Sequence, residues 1–249
     1  MKKISWSIAF CFLIFCSGCA EKKWEVNTSG LKTVPKNNAV VLDSSRKKSI
    51  METIKKYFNF HQIKLDTNKI VIQNGGEVCT NQSLAPDEKV LINTRNDTMH
   101  ICQEFTESNI IHECGHLLTV QPRYFTKSYI LKDGAELIGV QGLVMLIRKN
   151  NKDVTFSIID EAACEFLAYT FAKSIGLTYT VPNPRYIQFS KPLMEKMQGK
   201  SDILIKCMLE SNVVKLQQTL FPNEKVTNEV EAIVSLMDHF HNADQFGQF

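Results

Sequence analysis

The sequence predicts an α+β fold, with a small antiparallel or mixed sheet packed on a mostly helical domain. Short β-branched runs bounded by Asn, Gly and Thr lie between residues 69 and 105. From Thr106 onward, apolar residues recur mainly at helical spacing. The composition excludes a disordered chain, a collagen-like fibre and a polytopic membrane protein, because 44% of the 249 residues are hydrophobic and 22% are charged.

The first 18 residues have the pattern of a secretory signal peptide. Lys2 and Lys3 form a basic start, residues 8–15 form a short apolar run, and small residues precede Cys19. The run is too short for a transmembrane helix. Residues 15–19, Phe-Cys-Ser-Gly-Cys, resemble a bacterial lipobox. The resemblance implies that Cys19 is lipidated and becomes the new N-terminus, and a plain secretory signal is the alternative.

The lipobox resemblance predicts an exported lipoprotein at a membrane of the cell envelope. Acyl chains, and not a spanning helix, would anchor it there. In a Gram-negative cell this means the outer membrane or a periplasmic face. The charge does not indicate a nucleic-acid partner, because 29 basic residues face 26 acidic ones. Loss of Lys2 and Lys3 lowers the net charge from +3 to +1.

The cysteines divide between the exported leader and the folded part. Five of the eight follow Cys19, so at least one thiol stays free or pairs between chains. Cys79 and Cys102 lie in the loop- and strand-rich part, and a disulfide between them would stabilise the fold by roughly 3 kcal/mol. Buried unpaired thiols are the alternative. A contact or a disulfide between Cys114 and Cys164 is a further alternative.

The chain is organised as one domain on a tether. Residues 19–43 are polar and are typical of a lipid anchor with a flexible spacer, and residues 44–249 form the folded domain. Periodicity and turn residues predict three strands, at 69–73, 89–93 and 99–105. They also predict a helix that begins at Thr106 and includes Leu117 and Leu118, and further helices at 45–59, 134–149, 158–175, 190–198, 201–220 and 224–241.

One motif carries chemistry, His112-Glu113-Cys114-Gly115-His116. Residues four apart lie on one face of a helix, so both imidazoles can bind one tetrahedral zinc ion. Glu113 lies beside them and can take a proton from a zinc-bound water. Gly115 costs about 1 kcal/mol in a helix interior relative to Ala, which indicates close packing against the back of the motif. The alternative is an amphipathic helix with two surface histidines.

A catalytic zinc ion needs a third protein ligand. Glu161 and Glu165 lie four residues apart on a predicted helix whose other positions are largely small or apolar. A carboxylate in such surroundings is costly unless it is paired or bound to a metal. Both residues are therefore candidate ligands.

Residues 112–116 and the sequence Asp-Glu-Ala-Ala at 160–163 together resemble the gluzincin group of zincin metallopeptidases, of which thermolysin is a member. The resemblance covers roughly residues 98–175 and implies a zincin-like domain. It implies that His112, His116 and Glu161 bind one zinc ion and that Glu113 is the catalytic base. It further implies that Asp160 orients a histidine without touching the metal, while Glu165 stays the alternative ligand.

The resemblance also implies a strand beside the cleft and a donor for the oxyanion. Residues 99–105 fit the strand, along whose edge an extended substrate could pair, and an ordinary sheet strand is the alternative. The family's donor is a downstream Tyr or His, and no candidate stands in a diagnostic pattern. The candidates are Tyr169, Tyr179, Tyr186, His239 and His241.

These patterns predict an exported, lipid-anchored zinc metallopeptidase that hydrolyses peptide bonds of a protein or peptide substrate with a zinc-activated water. The alternative is a non-catalytic zinc-binding or interaction lipoprotein on a zincin-like scaffold. Glu113 favours the enzyme, because a purely structural zinc site has no use for a base beside its ligands.

Overall fold

The computed structural model describes residues 40–76, 79, 89–94, 96–181 and 186–245, except for the side chains of 186–189, 192 and 241–245. The predicted signal peptide, Cys19 and residues 19–39 of the predicted spacer lie outside this part. Within these described ranges, no helix is both long and apolar enough to span a bilayer.

The fold is α+β, as the sequence predicts, and the described residues form seven α-helices and two small sheets. The helices are α1 Ser44–Phe60, α2 Glu107–His116, α3 Ile158–Ser174, α4 Tyr186–Lys196, α5 Ser201–Glu210, α6 Val213–Leu220 and α7 Glu229–Gln245. The helix predicted at 201–220 is two helices, because Ser211 adopts a left-handed conformation with φ of 50° and ends α5.

The first sheet contains β1 Val71–Asn74, β2 Val90–Asn93 and β3 Thr98–Ile101. The strand β3 lies in the centre, parallel to β1 and antiparallel to β2. Both of its edges are therefore hydrogen-bonded within the sheet. The expectation that a substrate pairs along the edge of a strand at 99–105 is wrong for this reason.

The second sheet is an antiparallel meander of β4 Arg123–Ile130, β5 Glu136–Gln141, β6 Val144–Lys149 and β7 Lys152–Phe156. The prediction of a helix at 134–149 is wrong. Nearly all residues of β5 and most of β6 are buried, so residues 137–140 and 143–147 form apolar runs without the alternation that marks a strand. Gly142, with φ of +59°, makes the turn between them.

A disulfide between Cys79 and Cys102 ties the ends of β1 and β3 together. Cys102 directly follows β3, and the N–H of Gly75, directly after β1, donates to the carbonyl of Ile101 at 2.9 Å. A Cβ at Gly75 would overlap the Cys79 sulfur, so the bridge needs glycine at that position.

The central element of the core is α3, which packs against both α2 and α4. Its apolar side chains are buried around most of its circumference, as expected of an interior helix. The buried exceptions are three carboxylates, Asp160, Glu161 and Glu165, each at most 2% exposed. They lie where α3 faces α2, and this contact forms the candidate site.

Candidate metal centre

The motif lies at the C-terminal end of α2. The helix begins after Thr106, whose N–H and hydroxyl both donate to Oδ1 of Asn109 at 2.9 Å. It ends at His116 and does not include Leu117 and Leu118 as predicted. A tight turn follows, in which the N–H of Thr119 donates to the His116 carbonyl at 3.0 Å. His112 and His116 remain one helical turn apart and are buried at 4% and 7% exposure.

Gly115 brings α2 against the backbone of α3. A Cβ at Gly115 would lie 2.6 Å from Sγ and 2.9 Å from Cα of Cys164, closer than real Cβ contacts come. Only glycine allows this approach, so the close packing predicted from the sequence is confirmed. Cys114 and Cys164 are both free, buried thiols, and no bridge joins them.

The two motif histidines converge on one carboxylate oxygen. Oε2 of Glu161 lies 3.3 Å from Nε2 of His112 and 3.4 Å from Nε2 of His116. Glu113 completes the group, since its carboxylate and the two imidazoles offer ligand atoms that all lie within 4.8 Å of one another. Two nitrogen ligands and one oxygen ligand therefore surround one point between α2 and α3.

The helix ends suit the charges they carry. The imidazoles lie in the last turns of α2, where the helix dipole favours positive charge. Asp160 and Glu161 lie in the first turn of α3, where the dipole favours negative charge. The site thus joins the negative end of one helix to the positive end of another, which lowers the cost of burying its charged groups.

A second carboxylate faces the other ring nitrogen of each histidine. Oδ2 of Asp160 lies 3.0 Å from Nδ1 of His116, and Oε1 of Glu165 lies 3.1 Å from Nδ1 of His112. The hydroxyl of Tyr179 donates to Oε2 of Glu165 at 2.8 Å. Glu165 is thus placed as a partner of His112, on the side of the ring away from Glu161. Such partners fix the tautomer and orientation of metal-binding imidazoles.

The Nδ1 side of His116 is more crowded. Sγ of Cys164 lies 3.4 Å from the same Nδ1 that Asp160 faces, and the ligand atoms of these three residues also lie within 4.8 Å of one another. Because this nitrogen points away from Glu161, the Asp160 and Cys164 contacts orient the ring and leave Nε2 directed at the candidate metal position.

Burial and charge set the protonation of the site. Burial alone would lower the pKa of His112, but Glu165 and Glu161 raise it to about 10. Burial alone would raise the pKa of Glu161, but His116 and His112 hold it well below its usual range. Burial raises the pKa of Glu113 to about 7, against the opposing effect of the two histidines. Without a metal, a protonated His112 and an ionised Glu161 therefore stabilise each other.

The donor set fits zinc. Tetrahedral zinc with ligands at about 2.0–2.1 Å separates neighbouring ligand atoms by about 3.3 Å. The contacts of Glu161 with the two imidazoles, 3.3 and 3.4 Å, have this length. Oε2 of Glu113 and Nε2 of His116 are buried and make no hydrogen bond among the described residues. An ion bound by His112, His116 and Glu161 would engage that nitrogen.

A small cavity of about 20 Å³ borders the site. This volume accommodates about one water molecule, since a buried water occupies at least 10–15 Å³ by this measure. It is lined by Glu113, His116, Asp160 and Glu161, and by Ile92, Thr94, Thr119, Val144, Thr155 and Ser157. The strands that border the site are therefore β2, β6 and β7, and not β3.

Three of the five candidate oxyanion donors, Tyr169, Tyr179 and His239, lie outside the cavity lining. Tyr179 is engaged with Glu165, Tyr169 is 42% exposed and outside the cavity lining, and the imidazole of His239 contacts Glu224. The side chains of Tyr186 and His241 lie outside the described part. Sequence reasoning missed Thr119, which lines the cavity; its one signal was its spacing, three residues after His116.

Comparison of the chain with models of known protein families, with curated proteins and with solved structures finds no match.

Proposed function

We propose that this chain is a zinc-dependent metallopeptidase. The observation that carries the proposal is the convergence of two buried imidazole nitrogens on one oxygen of Glu161, beside a buried carboxylate oxygen of Glu113 that makes no hydrogen bond among the described residues. A structural zinc site is closed by four protein ligands, whereas a catalytic site has three and keeps a position open. The arrangement here has three ligands and a base.

The residues divide into ligands, a base and partners of the ligands. His112, His116 and Glu161 would hold the zinc ion, which supplies polarisation of a substrate carbonyl and a lowered pKa for a bound water. Glu113 accepts the proton of the attacking water and returns it to the leaving amine. Asp160 and Glu165 hold the imidazoles in place.

Metal content tests the ligand set. The full chain, purified in detergent, is expected to contain about one zinc ion by elemental mass spectrometry, in line with one three-residue ligand set. We expect His112→Ala and Glu161→Ala to lose it, and His239→Ala, whose imidazole contacts Glu224 outside the site, to keep it. Equal zinc content in all four proteins would contradict the proposal.

Activity tests the base. Incubation with a peptide library followed by mass spectrometry should show cleavage that a chelator abolishes and added zinc restores. Glu113→Gln keeps the size of the side chain but not its basicity, so we expect retained zinc and a rate lower by roughly 10²–10⁴-fold. A variant with full zinc and full activity would rule out Glu113 as the base.

We propose that the protein is exported and held at a membrane of the cell envelope by a lipid on Cys19. The support is the sequence pattern of residues 1–19 alone. Cys19→Ser should abolish incorporation of a labelled fatty acid and move the protein from the membrane fraction to the soluble fraction. Unchanged membrane association would point to another anchor.

A second candidate function is a non-catalytic zinc-binding module of an exported lipoprotein. The size of the cavity favours it, because about 20 Å³ admits a water molecule but no peptide side chain. This function predicts one zinc ion per chain and no chelator-sensitive cleavage of any library peptide. Glu113→Gln should then change nothing except the zinc affinity of the metal site.

A further inference from the structure

We propose that Thr119 is a catalytic residue of this site and that its hydroxyl holds the attacking water together with Glu113. The inference rests on the proposed peptidase function and adds to it the second group that positions the nucleophile. It stands on the cavity beside the ligands, on buried polar atoms of the residues that line that cavity, and on the packing that orients Thr119.

Three residues that line the cavity each carry a buried polar atom that makes no hydrogen bond among the described residues. The atoms are Oε2 of Glu113, Nε2 of His116 and Oγ1 of Thr119, and all three are buried. Their residues line the same cavity of about 20 Å³. Buried polar atoms without hydrogen bonds are rare in folded proteins. Nε2 of His116 faces Oε2 of Glu161 at 3.4 Å, so the oxygens of Glu113 and Thr119 are the two atoms that mark a place where a polar ligand binds.

The cavity has the size and the partners that a water molecule needs. A buried water requires at least about 10–15 Å³ by this measure and two to four polar partners. When His116 Nε2 binds the metal, Glu113 Oε2 and Thr119 Oγ1 are left for the water. An ionised carboxylate only accepts, and a threonine hydroxyl can also accept. A water that donates one hydrogen bond to each of them would keep its oxygen lone pairs available to a zinc ion held by the three ligands and to the substrate carbonyl.

The backbone and the side-chain methyl of Thr119 fix the direction of its hydroxyl. The N–H of Thr119 donates to the carbonyl of His116 at 3.0 Å, so the residue is tied to the last turn of α2. Its Cγ2 lies 3.3 Å from where a Cβ at Gly142 would be, so the methyl faces the turn between β5 and β6. The N–H of Gly142 in turn donates to Oγ of Ser211 at 3.0 Å, which holds that turn.

Two substitutions separate the hydroxyl from the shape of the side chain. Thr119→Val keeps the volume and the methyl and removes the hydroxyl, and Thr119→Ser keeps the hydroxyl. Thr98→Val is the matched control, because Thr98 is a buried threonine of β3 outside the cavity lining. Zinc affinity by chelator competition, kcat and KM on a cleaved library peptide, and the visible spectrum of the Co²⁺ form are measured for each.

We expect Thr119→Val to lower kcat by roughly 10- to 100-fold, because the attacking water loses one of its two positioning contacts. KM and zinc affinity should stay within about twofold, since the hydroxyl binds neither substrate nor metal. The Co²⁺ spectrum should change in Thr119→Val, and Thr119→Ser should restore both the spectrum and kcat. Thr98→Val should match the unsubstituted chain.

Unchanged kcat with an unchanged Co²⁺ spectrum in Thr119→Val would overturn the role of Thr119. Loss of zinc from that variant would also overturn it, because the residue would then support the ligands and not the water. If the unsubstituted chain binds zinc but cleaves nothing, the proposed function fails, and the Co²⁺ spectrum alone decides whether Thr119 holds a water at the metal.

Discussion

Replacing Gly115 with alanine tests whether the close contact between α2 and α3 holds the metal ligands together. The two histidines lie on α2 and Glu161 lies on α3, so the distance between these helices sets the size of the site. The added Cβ would lie 2.9 Å from Cα and 2.6 Å from Sγ of Cys164. Ordinary contact begins at 3.4 Å, so the helices must separate by about 0.5 Å at the backbone contact.

The expected cost follows from these distances. Metal sites require ligand distances within about 0.2 Å, so a separation of about 0.5 Å should weaken zinc binding by tenfold or more. Overpacking a core costs about 1–3 kcal/mol, and alanine recovers about 1 kcal/mol of helix propensity. The metal-free variant should therefore lose about 0–2 kcal/mol of unfolding free energy, which is at most roughly 8 °C in melting temperature.

Chelator competition measures the zinc affinity, and thermal unfolding followed by circular dichroism measures the stability of the metal-free form. Adding Cys164→Ala to Gly115→Ala removes the sulfur contact but not the backbone contact, so it should restore part of the zinc affinity. Equal zinc affinity in Gly115→Ala, together with a raised melting temperature, would show that the helices yield without moving the ligands and would refute this reasoning.

Three further predictions concern groups around the site and in the fold. Tyr179→Phe should weaken zinc binding by about tenfold, because the Tyr179 hydroxyl holds Glu165, which contacts His112. Tyr57→Phe is the control and should leave the affinity unchanged, since it removes a buried hydroxyl that makes no hydrogen bond among the described residues. Equal zinc affinities in the two variants would contradict this prediction. Replacing Cys79 and Cys102 with serine should lower the unfolding free energy in urea by about 3 kcal/mol, since the bridge spans 23 residues, and no change would show that the loop is held by other contacts. Burial lowers the pKa of His61 from 6.5 to about 4. Between these two pH values the imidazole is protonated in the unfolded chain but not in the native protein, so a falling pH favours unfolding. Stability should fall by at most about 3 kcal/mol between pH 6.5 and 4, and His61→Gln should show a shallower loss in urea unfolding; the same loss in both proteins would exclude His61 as the cause.

The motif and the fold class were readable from the chain because they depend on local spacing. His112 and His116 are four residues apart, which places them on one helix face in almost any tertiary setting. Gly115 was readable for a similar reason, since a glycine inside a helix is costly unless a neighbour comes close. The α+β class followed from short β-branched runs before Thr106 and helical spacing after it.

The meander at 123–156 was not readable in the same way. Strands buried on both faces lose the alternation of apolar and polar residues, and a run such as Leu-Val-Met-Leu-Ile at 143–147 satisfies a buried helix as well as a buried strand. Which of the two forms depends on the pairing partners, here β5 and β7, and on a turn at Gly142 that permits a left-handed φ.

The sequence by itself determined the chemical groups of the candidate site, because an HExxH pattern on a helix presents two imidazoles and a carboxylate together. Only the tertiary structure shows that Glu161 faces Nε2 of both histidines whereas Glu165 faces Nδ1 of His112, since both carboxylates lie on the same apolar helix and the approach of α2 determines which ring nitrogen each one meets. It also decided that Tyr179 supports a histidine, that β2 borders the cavity, and that Thr119 lies in its lining. In each of these cases the residues that come together are far apart in the chain or lie beyond the end of a helix. The periodicity of apolar residues carries no information about such contacts.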